Sequence, residues 1–228
     1  MAERARMRPF VLLSFLALFL CACTAHRSND TPIVPEHGVI GVQPAHLDPA
    51  FWIKRQRAAE RPLLDATQIA ALNAKLFEVD SSMNDLERFP TTLDRPQVRE
   101  WIEEISARPT RALFDEEGKE VSQATLDRLI EALNLENIDA QQPTRYGMVV
   151  QRADLRTFPT RMRVFRSPDD RDIDRFQESA AFPGTPVVIA HTSQDGEWLF
   201  VVTPRYEAWI EHRYIAEGER DRIFAYTR

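Results

Sequence analysis

The sequence has two cysteines in 228 residues, Cys21 and Cys23, and none after them. Everything downstream must work without a thiolate nucleophile, a disulfide or a cysteine metal site. Seven glycines form neither G-x-G-x-x-G nor G-x-x-x-x-G-K-[ST], so the usual backbone cradles for dinucleotides and nucleotide triphosphates are missing. No basic block is present, and 29 Lys and Arg against 35 Asp and Glu leave a net charge of −6. That balance argues against nucleic acid as a partner, since displacing counterions from phosphates takes many cations. No H-E-x-x-H zinc helix and no G-x-S-x-G elbow occurs, and the five histidines (26, 37, 46, 191 and 212) are scattered. Glu103-Glu104 and Glu116-Glu117 read as solvated faces or turns. No catalytic residue, metal site or cofactor is expected from these residues. What is present, 43% hydrophobic and 28% charged residues, is near the globular average and enough for one or two domains with a real core.

The longest apolar run, Phe10 to Leu20, falls short of the ~20 residues a membrane span requires. It follows Arg4, Arg6 and Arg8 and precedes small residues, which is the layout of a secretory signal. Leu20-Cys21-Ala22-Cys23 resembles a bacterial lipobox, implying cleavage after residue 22 and lipidation of Cys23. The alternative is an ordinary signal with incidental cysteines. A lipid on Cys23 would attach the chain to a membrane. Thr24, where an aspartate is associated with inner-membrane retention in enteric bacteria, slightly favours the outer membrane, on its periplasmic side. Residues 23–50 contain Pro32, Pro35, Pro44 and Pro49 with few periodic apolar positions and read as a tether.

From 51 to 142 the apolar period is helical. Asp65 and Gln68 have capping-box spacing, with Ile69, Leu72 and Leu76 on one face after them. Asp94 caps a second helix with Pro96 in its first turn and Val98, Trp101, Ile102 and Ile105 at i, i+3, i+4, i+7. A third begins near Ser122 and carries Leu126, Leu129, Ile130 and Leu133. A shared core accounts for all three stripes. Between the last two helices, residues 111–118 read as a short extended segment ending in a turn. From 143 to 228 the pattern is one of short strands: 147–150, 162–165, 186–190, 198–202, 208–210 and 214–216. Asp195-Gly196 predicts a hairpin with positive φ at both central residues. Trp198, Phe200 and Val202 face one way and Leu199 and Val201 the other, so this strand is expected to be central with both faces covered. The fold class expected is α+β, a small helical N-terminal domain followed by an SH3-like β-barrel.

Several runs resemble one family. Residues 146–160 (YGMVVQRADLRTFPT), with Asp174-Arg-Phe-Gln-Glu178, Phe182-Pro-Gly184, Asp195-Gly-Glu-Trp-Leu-Phe200 and Tyr206-Glu-Ala-Trp-Ile210, are similar to the first SH3-like domain of NlpC-type peptidoglycan endopeptidases. Phe51-Trp52-Ile53, Ile69-Ala-Ala-Leu-Asn73 and Leu113 to Gly118 resemble the helical N-terminal stabilising domain of the same lipoproteins. The resemblance spans about residues 45 to 228. It implies a protein of the cell wall whose full-length members add a second SH3-like domain and a papain-like domain. That last domain cuts between γ-D-glutamyl and diaminopimelate residues with Cys and His. None of that catalytic motif is in this sequence, which ends about where the second SH3-like domain would begin.

In such relatives the first SH3-like domain helps receive the free amino end of the wall peptide. An ammonium group is bound by carboxylates and an aromatic wall. The candidates here are Tyr206, Trp209, Glu178, Asp170 and Asp172. The acidic loop 169–174 also reads as a solvated turn, and Trp198 and Trp209 also read as barrel core. Glu207 departs from the small residue that usually follows the tyrosine. Three readings of function follow: a non-catalytic module that binds or positions peptidoglycan stem peptides; a fragment of a longer cysteine endopeptidase, working with a separate catalytic domain; or an envelope scaffold that contacts another protein.

Overall fold

The computed structural model describes residues 38–58 and 60–227. The signal, Cys23 and the tether up to residue 37 lie outside the described residues. The described chain divides after residue 63 into two units. In the first, a 3-10 turn at Pro44–Leu47 leads into α1 (Pro49–Ile53), so helical structure begins inside the stretch read as a tether. Asp48 caps α1 by accepting from the Ala50 amide, and the Trp52 indole donates to the His46 carbonyl at 2.8 Å.

The second unit holds α2 (Ala66–Val79), β1 (Thr92–Asp94), α3 (Arg95–Ile105), α4 (Gln123–Ala132) and β2 (Gln141–Pro143). Seven strands follow: β3 (Arg145–Val149), β4 (Ala153–Arg156), β5 (Gln177–Ala181), β6 (Pro186–Thr192), β7 (Trp198–Val202), β8 (Glu207–Glu211) and β9 (Ile215–Gly218). A final helix, α5 (Arg220–Thr227), closes the described chain and was not expected from the sequence. The caps are those the sequence implies: Asp65 and Gln68 form a reciprocal box, Asp94 accepts from Gln97, and Ser122 accepts from Thr125.

The seven strands form one antiparallel sheet in the order β5-β4-β8-β7-β6-β3-β9, the SH3-like body of an α+β fold. As its two-sided pattern required, β7 is buried along its whole length between β6 and β8. Trp198, Phe200 and Val202 pack into a core that also contains Val98 and Ile102 of α3 and Leu126 and Leu129 of α4. Leu199 and Val201 pack on the other side with Val187, Ile189, Ala208 and Ile210. The first core runs without a break across position 142, so α3, α4 and the barrel are one packed body. In β3, a Cβ on Gly147 would stand 2.6 Å from Ile215 Cγ2, so the approach of β9 requires glycine there.

Four expectations are corrected. The α2 stripe does not join the core, since no residue of α2 is buried and Ile69 and Leu72 are 47% and 57% exposed. Residues 162–164 belong to no strand: the Val164 amide bonds the Asp174 carboxylate, and of this segment Phe165 makes a bridge, to Phe114. The hairpin at Asp195-Gly196 forms, but only Gly196 has positive φ (+76°), and the loop runs from Ser193 to Glu197. There the Asp195 carboxylate accepts from the Ser193 hydroxyl and the Glu197 amide, which replaces the two-residue turn. Trp209 is core, as described next.

Candidate functional site

The short strand β4 lies between β5 and β8, which brings Glu178 of β5 near the start of β8. There the chain turns tightly at 203–206. Thr203 Oγ accepts from the Arg205 and Tyr206 amides, and the Thr203 amide donates to the Tyr206 carbonyl at 2.7 Å. Asn84 clamps the same turn. Its side chain donates to the Thr203 carbonyl at 3.0 Å and to Glu207 Oε1 at 2.7 Å, and its amide donates to the Pro204 carbonyl. Tyr206 is thereby held on an ordered turn with its side chain partly exposed.

Helix α3 packs on β8 and supplies the facing wall. The resulting cavity, of about 330 Å³, is lined by Trp101, Glu104, Ile105, Glu178, Tyr206 and Glu207. Two aromatic rings and three carboxylates surround it, with no Lys or Arg among the lining residues. Such a surface favours a cation: the ring faces attract it and the carboxylates accept its N–H bonds. It offers no nucleophile and no metal set. Among the described residues, no group of three or more His, Cys, Asp or Glu could hold a metal ion.

Of the sequence candidates, Tyr206 and Glu178 meet in this cavity. Trp209 does not, being 0% exposed; its indole donates to Ser106 Oγ at 3.1 Å and its ring stacks edge-on against Phe200. A ring with no free surface cannot wall a ligand. Asp170 and Asp172 lie elsewhere. The Asp170 carboxylate accepts from the Asp172 amide in a turn, and Asp172 lines a different cavity of about 540 Å³. Asp174 dominates that second place. It forms a buried ion pair with Arg156 and accepts from the Val164 and Phe176 amides, bracing the loop between β4 and β5. Arg156 also donates to the Thr160 and Met162 carbonyls and to Gln177. Nearby Glu211 is held below the usual carboxylate range, chiefly by its hydrogen bond from Arg161.

The histidines are separate. His191 is buried, its Nε2 facing the Asn134 carbonyl at 3.1 Å, and burial pushes its pKa down. His212 is exposed and bonds the Gly196 carbonyl.

A family model for the SH3 domain of SH3b1 type matches residues 163–211. Residues 163–211 are an SH3b1-type domain. The chain is also similar in structure to a novel NlpC/P60 endopeptidase from Photobacterium damselae subsp. piscicida, with a TM-score of 0.54 at 20% sequence identity. That match covers 72% of this chain and 40% of the endopeptidase, so the chain spans less than half of it. At this identity the likeness is one of fold. Comparison with curated proteins found no match. The SH3b1 match contains Glu178, Tyr206 and Glu207, whereas Trp101 and Glu104 come from α3, outside it. Sequence reasoning had Trp101 as core and Glu104 as solvated. Their spacing of three on α3 is the signal that they share an edge of the helix.

Proposed function

We propose that this chain is a non-catalytic cell-wall module that binds the free amino end of peptidoglycan stem peptides in the cavity of Tyr206, Glu178, Trp101, Glu104 and Glu207. The observation that carries the reading is the lining of that cavity, aromatic and acidic with no cation of its own, on an SH3b1-type domain. The likeness of fold to an NlpC/P60 endopeptidase supports the cell wall as its setting. The ammonium would sit against the Tyr206 and Trp101 rings with the glutamates as acceptors, which gives orientation without chemistry. We further propose that a lipid on Cys23 holds the module at the periplasmic side of a membrane, with the outer membrane favoured.

The test is binding of a stem peptide with a free amino end, and of the same peptide N-acetylated, to the chain without its signal. The free amine binds, and acetylation, Tyr206→Ala or Glu178→Gln each weakens it by roughly tenfold, the worth of about one charge-assisted bond. Equal binding of the amine and the acetylated peptide, or no retention on purified sacculi, sinks the reading. A second reading, in which the same pocket serves a longer hydrolase, draws on the 40% coverage of the endopeptidase. A Cys- and His-bearing domain encoded directly after Arg228 would favour it.

A further inference from the structure

On the other side of Ile105 lies a second cavity of opposite character. It has a volume of about 370 Å³, and Ile105 lines both. Its walls are the segment that leaves α3, where Pro109, Arg111 and Leu113 contribute, and the β4–β5 loop, whose ends supply Phe158, Arg175 and Phe176 and whose middle supplies Arg166. The walls are fixed to one another. Ser106 Oγ donates to the Thr157 carbonyl at 2.6 Å, and the Phe158 and Phe176 rings pack 4.9 Å apart.

Three arginines, Arg111, Arg166 and Arg175, face this space from three places in the sequence. Among the described residues none of the three forms an ion pair or a side-chain hydrogen bond. Several other arginines of the molecule do find acids: Arg99 holds Glu103, Arg108 holds Asp127, Arg145 holds Glu217 and Arg161 holds Glu211. In a chain with more acidic than basic residues, this cavity is lined by three arginines and by no carboxylate. Arg175 shows the deficit at atomic level, because its Nε is buried with no acceptor. Buried donors in folded proteins are almost always satisfied, so an orphan beside a cavity marks the place where an acceptor belongs.

We propose that this cavity binds a small organic carboxylate, an anionic head on a short apolar body. The guanidinium fork matches the two oxygens of a carboxylate, and three such groups supply more donors than one anion uses. Beside the arginines the lining includes Ile105, Leu113, Phe158 and Phe176, apolar side chains that offer nothing to the remaining oxygens of a bare inorganic anion but suit an alkyl or acyl group. The inference does not rest on the reading of the Tyr206 cavity, and a different ligand tests it.

The experiment is titration of the chain, without its signal, with N-acetyl-alanine, its C-terminal amide and inorganic phosphate, each followed by calorimetry and by arginine side-chain NMR. N-acetyl-alanine binds and shifts the Nε signals of Arg111, Arg166 and Arg175, and the amide binds roughly tenfold more weakly or not at all. Arg111→Gln and Arg166→Gln, both at exposed positions whose loss leaves the fold intact, each weaken the acid several-fold. Glu178→Gln leaves it unchanged, which separates this site from the Tyr206 cavity. Equal binding of acid and amide overturns the proposal, as does binding that survives both arginine variants or an absence of binding to the acid. Phosphate binding as tightly as the acid also overturns it, because the apolar wall would then contribute nothing.

Discussion

Helices α2 and α3 carry nearly the same local instructions and meet opposite fates. Each starts at an aspartate that accepts a bond from the amide of a glutamine three residues on, Asp65 from Gln68 at 2.8 Å and Asp94 from Gln97 at 3.0 Å. Each then places apolar residues at helical spacing. Yet α2 buries none of them, while Val98 and Ile102 of α3 are 0% exposed. The difference lies in what holds the ends. The cap of α3, Asp94, is also the last residue of β1, which pairs with β2 at the entrance to the barrel. Its C-terminal cap, Ser106, reaches the Thr157 carbonyl and the Trp209 indole inside the core. Among the described residues no hydrogen bond of that kind ties α2 to the barrel, which its neighbourhood reaches only further on, through Asn84. Periodicity specifies a helix and its apolar side; burial of that side requires a partner brought up by long-range bonds.

Three substitutions probe this contrast. Ile102→Ala removes a fully buried side chain and should cost about 2–5 kcal/mol, read as a lower urea midpoint at unchanged slope. Ser106→Ala strands the Trp209 N–H and the Thr157 carbonyl and should cost about 1–3 kcal/mol in the same assay. Leu72→Ala, on the exposed face of α2, should stay within about 0.5 kcal/mol of the parent, helped by the higher helix propensity of alanine. Were Leu72→Ala to cost as much as Ile102→Ala, the two helices would be equally packed in solution and the contrast would fail.

Much of the fold is legible in the residues because its signals are local. The caps at Asp65, Asp94 and Ser122 act over three residues, and the two-sided apolar pattern of 198–202 states its own burial. The strands missed are those whose sequence looks wrong for a sheet. Ala153–Arg156 ends in an arginine that is buried only because Asp174, 18 residues later, neutralises it. Gln177–Ala181 lacks β-branched and aromatic residues altogether and is held by pairing with that strand. The Thr92–Asp94 strand is too short to show alternation.

At the site, Tyr206 and Glu178 could be chosen from chemistry and resemblance. Trp101 and Glu104 could not be added, because their position beside Tyr206 depends on how α3 lies on β8. The misassignment of Trp209 has the same origin: its acceptor, Ser106, is 103 residues away.

The shared core also limits how this molecule can be taken apart. The segment that matches the SH3b1 model starts after β3 and β4 and stops before β9. Cut out alone, residues 163–211 would leave β6 without its β3 neighbour and expose the Trp198, Phe200 and Trp209 side that α3 and α4 cover. An open strand edge beside a bare aromatic surface is a template for aggregation. A portable cassette for grafting onto another protein would therefore have to run from about Leu86 through Phe224. The recognisable domain is shorter than the smallest piece that can be moved.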